Sequence, residues 1–110
     1  MAAKFEIKKT ANGQFMFNLK ASNGQIILTS ERYAAKQGAK NGISSVQTNC
    51  PYDERYDRRT SRADEPYFVL KAGNGEIIGN SEMYSGVSAR ENGIESVKAN
   101  GTTQNIEDLT

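Results

Sequence analysis

Two short phrases hold most of the side chains in this sequence that could do chemistry. They are Ser30-Glu31-Arg32-Tyr33 and, 51 residues later, Ser81-Glu82-Met83-Tyr84. A hydroxyl, a carboxylate and a phenol this close together could begin an acid–base site. Such a site needs a second titratable partner. The sequence contains no histidine, so the partner would be another carboxylate or a lysine, with Ser81, Glu82 and Tyr84 as the best candidates. The structural alternative is simpler. Serine bonds to nearby backbone at turns and caps, and a half-buried tyrosine keeps its hydroxyl wet. The structural reading is preferred, no catalytic residue is assigned, and the chain is read as non-enzymatic. A deep pocket beside Glu31 or Glu82 would favour chemistry there; a flat surface would favour structure.

The remaining reactive group is Cys50, the single cysteine. It precedes Pro51 just past an expected helix end, where the helix dipole disfavours a thiolate. A structural role is expected. One cysteine and no histidine cannot assemble a zinc site or a Cys–His pair within one chain, and no cofactor or metal is implied. The lone cysteine, the lack of an apolar run near the roughly 20 residues that span a bilayer, and an N-terminus without a signal-like apolar stretch lead us to expect a cytoplasmic protein.

The elements that carry these phrases are repeated. Shifting the 110-residue chain by 51 positions aligns 15–49 with 66–100 without a gap, and 17 of the 35 positions are identical. A single domain, 1–110, built from repeat one (1–53) and repeat two (54–110) is expected. Phe15, Phe17, Leu19 and Ala21 alternate with polar residues, as do Phe68, Leu70 and Ala72, which argues half-buried strands. Asn23-Gly24 and Asn74-Gly75 suit tight hairpins, because both central residues can take positive φ. Ile26-Ile27-Leu28 and Ile77-Ile78 read as the returning strands. Ala35, Ala39, Ile43 and Val46 mark one helix face, and Val87, Ile94 and Val97 the other, with helices near 34–49 and 85–100. Gly42 and Gly93 fall inside these helices, where close packing on the sheet is preferred over contact with a ligand. Segments 4–9 and 55–60 read as strands that open each half. Segment 55–60 also follows the first helix, as 104–109 follows the second, so it is read as both a closing and an opening strand. The order β-β-β-α-β-β-β-α-β predicts an α+β fold: one largely antiparallel sheet with two helices on one face.

Phe-x-Leu-Lys-Ala-x-Asn-Gly-x-x-Ile, then Ser-Glu-x-Tyr, then Asn-Gly-Ile-x-Ser-Val, in two copies, resembles the YegP-like family of small bacterial proteins. These are tandem repeats of a domain of unknown function. The resemblance extends to Ala99-Asn100-Gly101-Thr102. It implies two pseudo-symmetric β-β-β-α-β halves forming one sheet as a pseudo-dimer, with terminal strands exchanged between them. Single-copy relatives are expected to dimerise, and this chain to be a monomer. The family brings no activity and no catalytic residues. Copy two departs at Gly79, where copy one has Leu28, and at Arg90, where copy one has Ala39.

Charge divides the chain more sharply than its net +1 suggests. Residues 1–49 carry a net +5, 50–65 a net −1 and 66–110 a net −3. If Phe5, Ile7, Phe17, Leu19, Phe68 and Leu70 face the helices, the opposite face carries Lys4, Glu6, Lys8, Met16, Asn18, Lys20, Tyr67, Val69 and Lys71, joined by Arg55, Asp57 and Arg59. Lys8, Lys20, Arg55, Arg59, Lys71 and Tyr67 are therefore candidate anion-binding residues, a platform for single-stranded nucleic acid or another polyanion. The plainer reading is a solvated sheet face. The chain is expected to be an interaction protein with an unknown protein partner, with polyanion binding and then a carboxylate–tyrosine enzyme as alternatives.

Overall fold

Four hairpins of one geometry generate most of the sheet in the computed structural model, which describes residues 2–110. In order, the strands are β1 (Lys4–Lys9), β2 (Phe15–Lys20), β3 (Ile26–Ser30), β4 (Tyr56–Thr60), β5 (Pro66–Lys71), β6 (Ile77–Asn80) and β7 (Ile106–Asp108). Helix α1 (Lys36–Asn49) follows β3, a short 3₁₀ turn (Asp53–Arg55) precedes β4, and α2 (Val87–Asn100) follows β6. Each hairpin closes with one bond across its loop and a second inside it. In the second hairpin, Ala21 N donates to Gln25 O at 2.9 Å and Gly24 N donates to Ala21 O at 2.9 Å. The fourth loop residue is left-handed every time: Gly13 (φ 84°), Gly24 (84°), Asp64 (60°) and Gly75 (88°). This corrects the expected turn. Only the glycine of each Asn-Gly pair takes positive φ. The asparagine instead turns its side-chain oxygen to the last residue of the loop, Asn23 Oδ1 accepting from Gln25 N at 3.0 Å and Asn74 Oδ1 from Glu76 N at 3.0 Å.

The hairpins combine into one seven-stranded sheet of order β4-β5-β6-β3-β2-β1-β7. The halves join where β3 meets β6 antiparallel, Thr29 opposite Asn80 and Ser30 opposite Gly79. At one end, β7 crosses to the other half and pairs parallel with β1. Phe5 N donates to Asn105 O and Leu109 N to Ile7 O, both at 2.9 Å. The Lys4–Glu107 (2.9 Å) and Lys36–Asp108 (2.8 Å) ion pairs fix this docking. Exchange of a terminal strand is thus real, but at one end only. Segment 55–60 serves as an opening strand alone: β4 pairs with β5 as β1 pairs with β2. It cannot also add beside itself as β7 adds beside β1.

Period-two alternation placed the core correctly. Phe5, Ile7, Phe17, Leu19, Phe68 and Leu70 are all fully buried and meet Ala39, Ile43 and Val46 of α1 and Ile94 and Val97 of α2. Phe5 packs edge-on to Phe17 at 5.7 Å between centroids, and Tyr56 to Phe68 at the same distance. Both helices lie on this face. They start two residues later than their periodicity suggested, so Ala35 and Val87 fall outside the buried stripe and are exposed. The serines do not cap them. Ser30 Oγ accepts from Phe17 N at 2.8 Å and donates to its neighbour Glu31 O at 2.7 Å. Ser81 repeats this with Phe68 N (3.0 Å) and Glu82 O (2.8 Å). Each serine replaces ladder bonds where its strand leaves the sheet.

Candidate binding grooves and the open sheet face

That use of the serines decides the first candidate site. Ser30 and Ser81 are buried, with both hydroxyl functions committed to backbone. Neither hydroxyl is free to act with its neighbouring glutamate. Glu31 and Tyr33 point elsewhere, into a groove of about 320 Å³. Helix α1 contributes Gly38, Asn41, Gly42 and Ser45 to its wall. The other wall belongs to the other half: Ala72, Glu76, Ile77 and Ile78 of the β5–β6 hairpin. A second groove of about 210 Å³ has the mirrored composition, with Glu82, Tyr84, Ala89, Asn92, Gly93 and Ser96 facing the β2–β3 hairpin of the first half. We call these groove one and groove two. Each exists only because a helix of one repeat leans over a hairpin of the other.

The shared glycines shape both. A Cβ on Gly42 would lie 2.5 Å from the Tyr33 hydroxyl and 2.8 Å from the Phe17 ring; one on Gly93 would lie 2.2 Å from the Tyr84 hydroxyl. The preferred reading of these glycines as packing positions therefore holds, and the packed group is the tyrosine that floors each groove. Tyr33 is fastened to β2 by two backbone bonds with Phe15, both 2.7 Å. Tyr84 has one, to Pro66 O at 2.8 Å, because proline has no N–H to return; its ring stacks on Phe68 at 6.3 Å. Burial raises both phenol pKa values, helped by Glu31 and Glu76 at Tyr33 and by Glu82 at Tyr84. Both phenols stay protonated near neutral pH and can donate.

The repeat itself singles out these grooves. Most identities between the copies are core residues, hairpin turns or the buried serines. Apart from Lys20/Lys71, the exposed or half-exposed side chains outside the turns that are identical in both copies are Ile26/Ile77, Glu31/Glu82, Tyr33/Tyr84, Asn41/Asn92 and Ser45/Ser96. All of these line the grooves. This pattern was present in the sequence. What it lacked was the pairing of each helix with the opposite hairpin, which brings residue 31 to residue 76.

The open face holds most of the predicted cations, but not as a bare platform. Glu6 sits among Lys20 (3.1 Å), Lys4 (3.3 Å) and Lys8 (3.9 Å), its side chain 6% exposed. Burial favours its neutral form, yet hydrogen bonds from Lys20 and Lys4 outweigh this and its pKa is lowered. Asp57, its counterpart, pairs with Arg59 (2.9 Å) and Lys71 (3.3 Å), and its pKa is lowered chiefly by Arg59. Tyr67 lies across the ladder from Arg59. Arg55 is misplaced by the sequence reading. Its Nε donates to Asn49 Oδ1 at 2.9 Å at the end of α1, with its guanidinium 5.6 Å from the Tyr52 ring. The 3₁₀ turn rotates it off the face that Lys4 occupies in the first half.

Cys50 is fully buried at the C-terminal end of α1, and burial pushes its thiol up to about 11. Among the described residues no helix is long and apolar enough to cross a membrane.

The motifs that carry both grooves are those of a known family model, a domain of unknown function called DUF1508, which matches twice, at 11–57 and 61–108. The chain belongs to the YegP-like DUF1508 family. A UPF0339 protein of Shewanella oneidensis is 56% identical over 110 residues, covering both chains fully. The UPF0339 protein YegP of Escherichia coli K12 is 52% identical over the same length, again with full coverage of both. Solution structures of members from these two organisms superpose with TM-scores of 0.93 and 0.94. Each covers 100% of this chain, and they are matched over 93% and 95% of their own lengths. The Escherichia coli member is a protein of unknown function. The names of these relatives specify no reaction or ligand and give no positive indication of enzymatic activity.

Proposed function

We propose that this YegP-like chain is a non-enzymatic, cytoplasmic binding protein. It works as a monomer and holds a protein partner through the two grooves at the junction of its repeats. The observation that carries this reading is the identity of the groove residues in both copies. Core identity needs no partner to explain it. Repetition of the half-exposed Glu, Tyr, Asn, Ser and Ile around two cavities is accounted for by recognition. Absence of catalysis is supported by the committed serines, by phenols held protonated and by the missing histidine. Monomeric behaviour is supported by the tandem arrangement, which supplies both halves of the sheet from one chain.

Filling the grooves tests the proposal. Ser45→Tyr with Ser96→Tyr places a ring in each without touching the core. Proteins cross-linked to the wild type in a bacterial lysate are expected to be lost by this variant. They are expected to be kept by Lys20→Ala with Lys71→Ala. Capture that ignores the groove substitutions would overturn the assignment.

A second reading keeps one supporting observation. Lys4, Lys8, Lys20, Arg59 and Lys71 still outnumber Glu6, Asp57 and Glu107 around the open face. A polyanion would have to compete with carboxylates that already lie within 4 Å of each of these cations. Titration with single-stranded DNA across salt tests it: phosphate contacts give affinity that falls steeply as salt rises, and no binding at low salt removes this reading.

A further inference from the structure

Groove one and groove two share their polar residues but not their charge. Glu76 of groove one is replaced by Gln25 in groove two, and Gly38 by Ala89. Groove one therefore carries two carboxylates, Glu31 and Glu76, one from each repeat. Neither forms an ion pair among the described residues, and no lysine or arginine lines the groove. The rest of the lining is largely apolar, made by Tyr33, Ala72, Ile77 and Ile78.

Building on the reading of the grooves as recognition sites, we propose that groove one binds a protonated aliphatic amine: an ammonium group on a methylene stem. The chemistry follows from the lining. A stem of a few methylenes gains by lying on Tyr33 and Ile78, as lysine stems do on apolar surfaces. The ammonium then sits between two uncompensated carboxylates at the rim, with the Tyr33 ring available as a cation–π face. The carboxylates oppose any anion. A neutral chain would use the floor and leave both charges unanswered. Both carboxylates already act on the interior, since each helps to raise the Tyr33 phenol pKa. Asn41 Oδ1 and Ser45 Oγ, which accept from Gln37 Nε2 at 3.0 Å and Asn49 Nδ2 at 3.2 Å, each keep a second lone pair for the remaining ammonium protons. The volume of about 320 Å³ is at the small end of ligand sites and admits such a group. Groove two, smaller at about 210 Å³ and with Glu82 as its one lining carboxylate, should take the same ligand more weakly.

The ammonium could come from a partner's lysine or from a free diamine, and the test separates these. Amide chemical shifts of the intact chain are followed while adding Nα-acetyl-lysine-N-methylamide, its norleucine analogue, or cadaverine. The capped lysine should shift the amides of Gly42, Ser45 and Ile77 before those of Gly93 and Ser96. The norleucine analogue should bind at least about threefold more weakly, the scale of one exposed charge pair. Cadaverine binding more tightly than capped lysine would name a free diamine as the source; the reverse would name a side chain. Glu76→Gln should reduce groove one to the level of groove two. Gln25→Glu with Ala89→Gly should raise groove two towards groove one. Added salt should weaken both effects.

Equal binding of lysine and norleucine probes, or no effect of Glu76→Gln, would overturn the amine assignment while leaving the grooves as recognition sites. Absence of any shift at either groove with all three probes would overturn the amine assignment and count against the grooves themselves.

Discussion

The two halves repeat one pattern, but they differ most where they touch. Leu28 is fully buried in the shared core, and its counterpart is Gly79. A Cβ on Gly79 would lie 2.6 Å from the Thr29 carbonyl oxygen across the β3–β6 join. Cys50 is fully buried at the end of α1, and its counterpart is Gly101; a Cβ there would lie 2.7 Å from the Cys50 sulfur. At both places one half supplies bulk and the other supplies room. A dimer of identical single copies must place the same residue on both sides of its axis. Fusing the copies in one chain lifts that requirement. The same freedom allows groove one to hold Glu76 where groove two holds Gln25.

Making the halves alike should therefore weaken the protein, and the cost should follow the packing. The largest effect is expected for Leu28→Ala, which empties a fully buried site in the shared core and should cost about 2–5 kcal/mol of unfolding free energy. Gly79→Ala should come next, at about 1–3 kcal/mol, because its new methyl meets backbone that can move only by parting β3 from β6. Urea unfolding of both variants checks the order. A Gly79→Ala protein as stable as the wild type would show that the join tolerates symmetry after all.

Much of this was legible from residue order because it rests on local periodicity. Alternation at 5, 7, 17, 19, 68 and 70 identified the core face, and the spacing of Ala39, Ile43 and Val46 identified α1. Errors arose where tertiary bonds override local preference. Ala35 and Val87 extend the apolar period, but Ala35 precedes α1 and Val87 opens α2 in its exposed first turn. Asn23 and Asn74 use side-chain bonds in place of left-handed backbone. Arg55 belongs to the alternation of β4 by number, yet the turn before that strand hands it to Asn49. The grooves were legible only by halves. Glu31, Tyr33, Asn41 and Ser45 were visible as repeated residues, but their meeting with Glu76 and Ile77 depends on which hairpin lies under which helix. No spacing in the chain records that.

The second junction offers a gentler test of the same asymmetry. Gly101→Ala should destabilise the wild type, since its methyl meets Cys50. In a Cys50→Gly background it should cost less, although the Val97 carbonyl oxygen at 2.8 Å keeps some of the penalty. A coupling of about 1 kcal/mol between the two substitutions is expected from a double-mutant cycle. Additivity would show that the two helix ends do not sense one another. The same burial keeps the thiol protonated, with a pKa of about 11. Cys50 should thus react with a disulfide reagent only as fast as the protein opens, and more quickly in the Leu28→Ala variant.

The smallest difference between the halves lies on the open face and is read through pH. Glu6 and Asp57 are counterparts, and both have lowered pKa values. A carboxyl held below its unfolded value binds a proton more readily once the chain unfolds. Its stabilisation is present above the unfolded value, 4.5 for Glu6 and 3.8 for Asp57, and is lost as pH falls through the folded value. Glu6 is enclosed by three lysines and 6% exposed; Asp57 has two cations and is 34% exposed, so solvent screens it more. Glu6→Gln should therefore flatten the fall in stability below about pH 4.5 more than Asp57→Asn does. Urea midpoints for the two variants and the wild type, taken stepwise from neutral pH into acid, measure this. A flatter profile for Asp57→Asn would mean that enclosure by lysines costs Glu6 as much in lost hydration as it returns in attraction. The three lysines would then be serving the solubility of the face and not its stability.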